Sequence, residues 1–181
     1  MTDMPARVQR LGNNTARILA DLWQQHLDGD LTRAELVDLV LVIIRLAHEQ
    51  GRLAAEAAFT LWAIEHGLDA DPALQPPAAA YLDPDERLTS ALQTIIEESD
   101  TNEERQMRIE RLGRGEATAA AHAAFAAAIG AHPAVTGWTR RAEPGACQIC
   151  RNLAAAGAVR NTAIRMYRHP GCSCVPIPLT E

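Results

Sequence analysis

The chain has 181 residues, 48% of them apolar but only 4% aromatic, and a formal net charge of −6. That length is enough to bury a real core. Abundant alanine with few aromatics favours helices in close approach, and the acidic balance argues against a chain built throughout to coat nucleic acid. Every basic residue is an arginine, a usage that reads as the mark of a GC-rich coding genome more than of bidentate recognition. The start, Met1-Thr2-Asp3-Met4-Pro5, lacks the basic and apolar runs of a leader. The apolar stretch Leu36 to Leu46 is broken by Asp38 and Arg45 and falls short of the ~20 residues of a bilayer span. The expectation is a soluble chain made in a reducing cytoplasm, where cysteines bind metal more often than they pair.

Helical periodicity runs from near Pro5 to Leu27 through Val8, Leu11, Ile18, Leu19 and Leu22, and Asp28-Gly29-Asp30 ends it. A second helix begins at Thr32, whose hydroxyl and Glu35 form a capping box, and continues to about Glu65 or His66 before Gly67. Its early turns are apolar nearly all round, so they need cover on several sides, with another subunit supplying part of it. Residues from about 69 to 82 are rich in proline and alanine and read as a semi-rigid connector. A third helix starts at Asp83-Pro84-Asp85-Glu86, with proline at the first helical position, and turns Leu88, Leu92, Ile95 and Ile96 inward. Thr101 with Glu104 opens a fourth that reaches Ile129, with a kink or break expected at Gly113 and Gly115. Trp23 and Trp62 read as core or interface anchors. After Pro133 the pattern changes to a strand around Val135 and Trp138, a short helix from Gln148 to Ala155, and strands at Ala158 to Arg160 and Cys174 to Ile177. Pro176 and Pro178 restrict the last strand to an edge.

All four cysteines lie in this last quarter, as Cys147-Gln148-Ile149-Cys150 and as His169-Pro170-Gly171-Cys172-Ser173-Cys174. Two short chelating loops of soft ligands read as one closed, structural zinc site. A segment with few large apolar residues would draw folding free energy from such a site. Cys147, Cys150, His169 and Cys172 form the preferred quartet, and Cys174 in place of His169 gives an all-thiolate alternative. Disulfides or buried thiols remain the bland reading. Trp138 is expected to pack beside these cysteines. Acidic residues crowd the chain before Pro133, whereas Arg140, Arg141, Arg151, Arg160, Arg165 and Arg168 face only Glu143 and Glu181 beyond it. Arg140, Arg141, Arg160, Arg165 and Arg168 are thus candidates for contact with a polyanion or an acidic protein surface.

Catalytic patterns are thin. Glu143 is the only acid close in sequence to the cysteines, and His48-Glu49 lacks the second histidine of a zinc protease helix. His26, His66, His122 and His132 share no chelating spacing. No nucleophile elbow and no phosphate loop is present. The chain is therefore expected not to be an enzyme, with a metal-dependent hydrolase as the weaker alternative.

Val135-Thr136-Gly137-Trp138, Cys147-Gln148-Ile149-Cys150-Arg151-Asn152-Leu153 and His169-Pro170-Gly171-Cys172-Ser173-Cys174-Val175-Pro176 together resemble the phage MuF-like minor capsid (head morphogenesis) family, most closely its actinobacteriophage versions. The resemblance covers the last quarter and extends to Glu116, which stands where that family often has an acidic residue. It implies a structural, few-copy component of a tailed-phage head, associated with the portal, the major capsid protein or the capsid interior and with DNA packaging and ejection. Packaged DNA is a further possible contact. The expected architecture is mostly α: a helical body over 1–132 and a small zinc-stabilised α+β module over 133–181. The alternative function is a zinc-finger-like nucleic-acid-binding adaptor.

Overall fold

A computed structural model describes residues 4–70, 85–143, 146–163, 166 and 174–180. Their elements run α1 (Met4–Leu27), α2 (Arg33–Glu65), α3 (Asp85–Glu98), α4 (Asn102–Ala131), β1 (Gly137–Arg141), α5 (Gln148–Ala155) and β2 (Val175–Leu179). The protein is mostly helical, with one small two-stranded sheet. No described helix is long and apolar enough to cross a membrane.

Local chemistry sets most helix ends. The Thr32 hydroxyl accepts the Glu35 N–H at 3.3 Å while the Thr32 N–H donates to the Glu35 carboxylate at 2.8 Å, closing the capping box that opens α2. Thr101 caps α4 in the same way, accepting the Glu104 N–H at 3.1 Å. Asp85 and Glu86 place negative charge at the positive end of the α3 dipole. Pro84 and most of the connector, residues 71–84, lie outside the described residues.

α1, α2 and α4 form the bundle, with α3 laid more lightly against α2 and α4. Two apolar clusters fill it. One gathers Leu19 and Trp23 of α1, Leu36, Val40 and Ile44 of α2, Leu88, Leu92 and Ile95 of α3, and Ile109 of α4. The other gathers Val8, Phe59, Trp62, Phe125 and Ile129, and it takes in Val135 and Trp138 from beyond residue 132. Phe59 stacks edge-on against Phe125 with centroids 5.9 Å apart, a favourable aromatic geometry. Trp138 therefore packs into the helical body and not into the cluster of the described cysteines. The indole finds a large apolar surface there, while the cysteines have mainly alanines around them.

Between the two clusters the helices meet through small residues. A Cβ at Gly51 would stand 2.9 Å from the Ala117 carbonyl oxygen and 3.2 Å from the Ala121 nitrogen, both backbone atoms that cannot swing away. Gly113 faces Leu19, Thr15 and Ala16 of α1. The expected break at Gly113 and Gly115 does not occur, and α4 is continuous. Gly113 admits α1 to close range, and that packing outweighs the ~1 kcal/mol helical cost of a glycine.

The sheet is antiparallel, pairing Gly137 with Leu179, Trp138 with Pro178, Thr139 with Ile177, Arg140 with Pro176 and Arg141 with Val175. On its other side Trp138 exchanges two 2.8 Å backbone hydrogen bonds with Arg160. The expected strand at Ala158 to Arg160 is thus a single bridge. Because the Trp138 N–H and C=O point toward Arg160, Pro178 opposite it occupies a non-hydrogen-bonded position, where a missing N–H costs nothing in the ladder.

The waist makes a direct prediction. Gly51→Val should destabilise the fold by about 1–3 kcal/mol through overpacking. Gly115→Ala, whose Cβ would enter open space, should stabilise α4 by up to about 1 kcal/mol. Chemical denaturation followed by helical circular dichroism measures both.

Candidate functional site

Three of the cysteines border one small apolar cluster. Cys150 is 0% exposed and Cys174 1% exposed, and they form a small cluster with Ala146, flanked by Cys147 and Ala142. Cys147 is the N-cap of α5, so its sulfur accepts the Cys150 N–H at 3.4 Å. Arg140, reaching from β1, brings its guanidinium to 3.5 Å from the Cys150 sulfur. The α5 start presents two soft donors on a fixed turn, and Cys174, just before β2, packs in the same cluster as Cys150. Soft sulfur donors of this kind fit zinc chemically. His169 and Cys172 lie outside the described residues. Among the described residues, no three His, Cys, Asp or Glu side chains converge closely enough to hold a metal ion.

The arginines divide by their partners. Arg141 donates to the Glu143 carboxylate at 2.8 Å, while Arg140 is engaged with Cys150. Arg160 is exposed, fixed at its backbone by the bridge to Trp138. Arg165 and Arg168 lie outside the described residues. Gly137 has to be glycine at this junction, since a Cβ there would stand 2.7 Å from the Arg160 carbonyl oxygen.

A second polar centre, not legible from local spacing, lies at the bundle waist. His48 of α2, 5% exposed, contacts the Glu116 carboxylate through Nε2 at 3.0 Å. The other Glu116 oxygen accepts from Arg87 of α3 at 2.7 Å. Burial acts to raise the Glu116 carboxyl, but hydrogen bonds from His48 and Arg87, with their charges, outweigh it and hold the group below its ordinary value. One carboxylate thus ties α2, α3 and α4 together. The only sequence signal for it is the resemblance at Glu116; its partner His48 is 68 positions away. Beside it an open cleft of about 620 Å³ runs between α3 and α4, with Arg87, Arg108 and Arg111 on its walls and Ser90 and Thr94 facing in.

Three other histidines lie against backbone carbonyls. His26 lies 2.8 Å from the Leu31 carbonyl, His66 2.8 Å from that of Trp62, and His132 2.8 Å from that of Asp69. The last contact fixes the exit from α2 against the end of α4.

The model of one protein family, the VG15 protein, matches residues 1–181. The chain belongs to this family. No curated protein and no solved structure matches it. VG15 proteins are phage proteins, so the chain is a bacteriophage protein whose family spans both the helices and the cysteine-rich end.

The Glu116 carboxylate yields a pH test. With a folded value below the unfolded 4.5, it contributes stability that is full above that pH and lost as pH falls through the folded value. Wild-type protein should lose stability on acidification below 4.5, and Glu116→Gln should show a smaller loss over the same interval. Urea unfolding between about pH 3 and pH 6 reads the difference, since protonation of this group is spent below the unfolded value.

Proposed function

We propose that this VG15 family member is a minor capsid, head morphogenesis component of MuF-like type. On this reading it is structural and not an enzyme, and it resides in the virion at the portal or on the capsid interior. The observation that carries the reading is the buried meeting of Cys150 and Cys174 beside a tryptophan-bearing strand. The tryptophan strand, the cysteine followed by Leu153 in a short helix, and the terminal strand that follows His169-Pro170-Gly171-Cys172 are the parts of the MuF-like pattern. The phage family match over the whole chain supports the same direction.

In this reading Cys147, Cys150, His169 and Cys172 hold one zinc ion, with Cys174 as the alternative to His169. The ion supplies a cross-link between the α5 turn and the chain leading into β2, and its binding free energy becomes folding free energy of the module. Four protein ligands leave no open position for water, so the site is structural. The placement of Cys150 in one buried cluster with Cys174, at the turn that Cys147 caps, supports ligation there.

The rival reading, a zinc-finger-like adaptor on nucleic acid, needs the C-terminal arginines to be available to phosphates. Arg140 and Arg141 are turned instead to Cys150 and Glu143, which favours docking on a head protein.

Reduced, purified protein is expected to carry about one zinc per chain, as a single closed four-ligand site requires. Cys150→Ser should release it and unfold the module while most helical signal persists. Mass spectrometry of purified virions should find the chain in few copies, and salt-dependent binding to DNA should be weak. Metal-free reduced protein would sink the zinc site. Absence from the virion, or tight binding to DNA with a steep salt dependence, would sink the capsid reading.

A further inference from the structure

α2 is apolar on more than one face, and the bundle uses only one of them. Leu36, Val40, Ile44, Ala55, Phe59 and Trp62 face the core. The opposite face carries Leu39, Val42, Leu46, Leu53, Leu61 and Ile64, all exposed, from 38% at Leu39 to 60% at Ile64. Exposed Ala57 and Gln50 complete the stripe, with Ile43 half-buried at its edge. The positions 39, 42, 46, 50, 53, 57, 61 and 64 repeat every eleven residues, a period that keeps a stripe on one face of a nearly straight helix. It extends over about 38 Å.

We propose that this face binds a second copy of the chain, with the two α2 helices antiparallel about a two-fold axis between residues 51 and 52. The spacings along the stripe, three, four, four, three, four, four and three, read the same in both directions. An antiparallel copy therefore meets it in register: Leu39 opposite Ile64, Val42 opposite Leu61, Leu46 opposite Ala57, and Gln50 opposite Leu53. Large side chains meet at the ends, and the small Ala57 receives Leu46.

One feature at the centre favours a copy of the chain over a partner of different chemistry. Gln50, the one polar member of the stripe, lies within two residues of the axis and so close to its own symmetry mate. An amide carries both donor and acceptor and is complementary to itself. Such an isologous contact closes at two subunits.

Area sets the strength. A strip about 38 Å long and about 10–12 Å wide covers roughly 400 Å², within the range of patches that mark association and below the ~800 Å² per partner of a standard interface. The dimer is therefore concentration-dependent and not permanent. It is a property of the isolated chain, so its test stands apart from zinc content and virion localisation.

Sedimentation of the purified full chain over a wide concentration range should show mass rising from one chain to two. Leu46→Lys should hold it at one chain at every concentration with an unchanged helical spectrum. Adding Ala57→Glu to that variant should restore the dimer, because an antiparallel copy brings the new lysine and the new glutamate together. Within one helix those positions stand about 16 Å apart and cannot pair. Wild-type protein that stays a single chain throughout would overturn the proposal. So would a dimer indifferent to Leu46→Lys, or a Leu46→Lys monomer that Ala57→Glu fails to rescue.

Discussion

The close approach of α2 to α4 at Gly51 is the constraint on which the rest of the bundle depends. A backbone oxygen and a backbone nitrogen of α4 occupy the space where any larger residue would put its Cβ, so the two axes can be this near only with glycine there. The alanines of α4, with Gly113 against α1, extend the small-residue contact around the waist. Bulk is moved to either side, where the Trp23 and Phe59 clusters fill the two ends. The scarcity of aromatics follows: two filled ends and a narrow waist need few large rings.

The same narrowness explains why a charge can sit inside. His48 and Glu116 come from facing helices that are already close, and Arg87 arrives from α3 to take the second carboxylate oxygen. A buried carboxylate with both oxygens bonded avoids the desolvation cost that an unpaired one would carry. It also fixes where along α4 the lightly packed α3 must rest, beside the arginine-walled cleft. The C-terminal sheet is anchored to this body through Trp138, which inserts into the cluster of Phe59 and Phe125. The cysteine turn is thereby held against a rigid platform although little apolar surface surrounds it.

Helix-level features were readable because their causes are local. The Thr32–Glu35 box, the Thr101 cap and the helix opening at Gln148 each involve residues within one turn, so spacing alone identifies them. The turn at Cys147 is equally local, since its sulfur accepts the Cys150 N–H three residues on.

What only the tertiary structure decided involves partners far apart in the chain. Gly113 reads as a helix breaker until α1 is set against it, and then it is a contact. Trp138 reads as a neighbour of the cysteines until the helical core offers a larger apolar surface. The pairing of His48 with Glu116 has no local periodicity to reveal it. The nearly all-round apolar early turns of α2 announce that they need cover on several sides, but a sequence cannot say which side its own chain covers. Periodicity within a helix determines which residues share a face; only the packing of the other helices decides which face is left open.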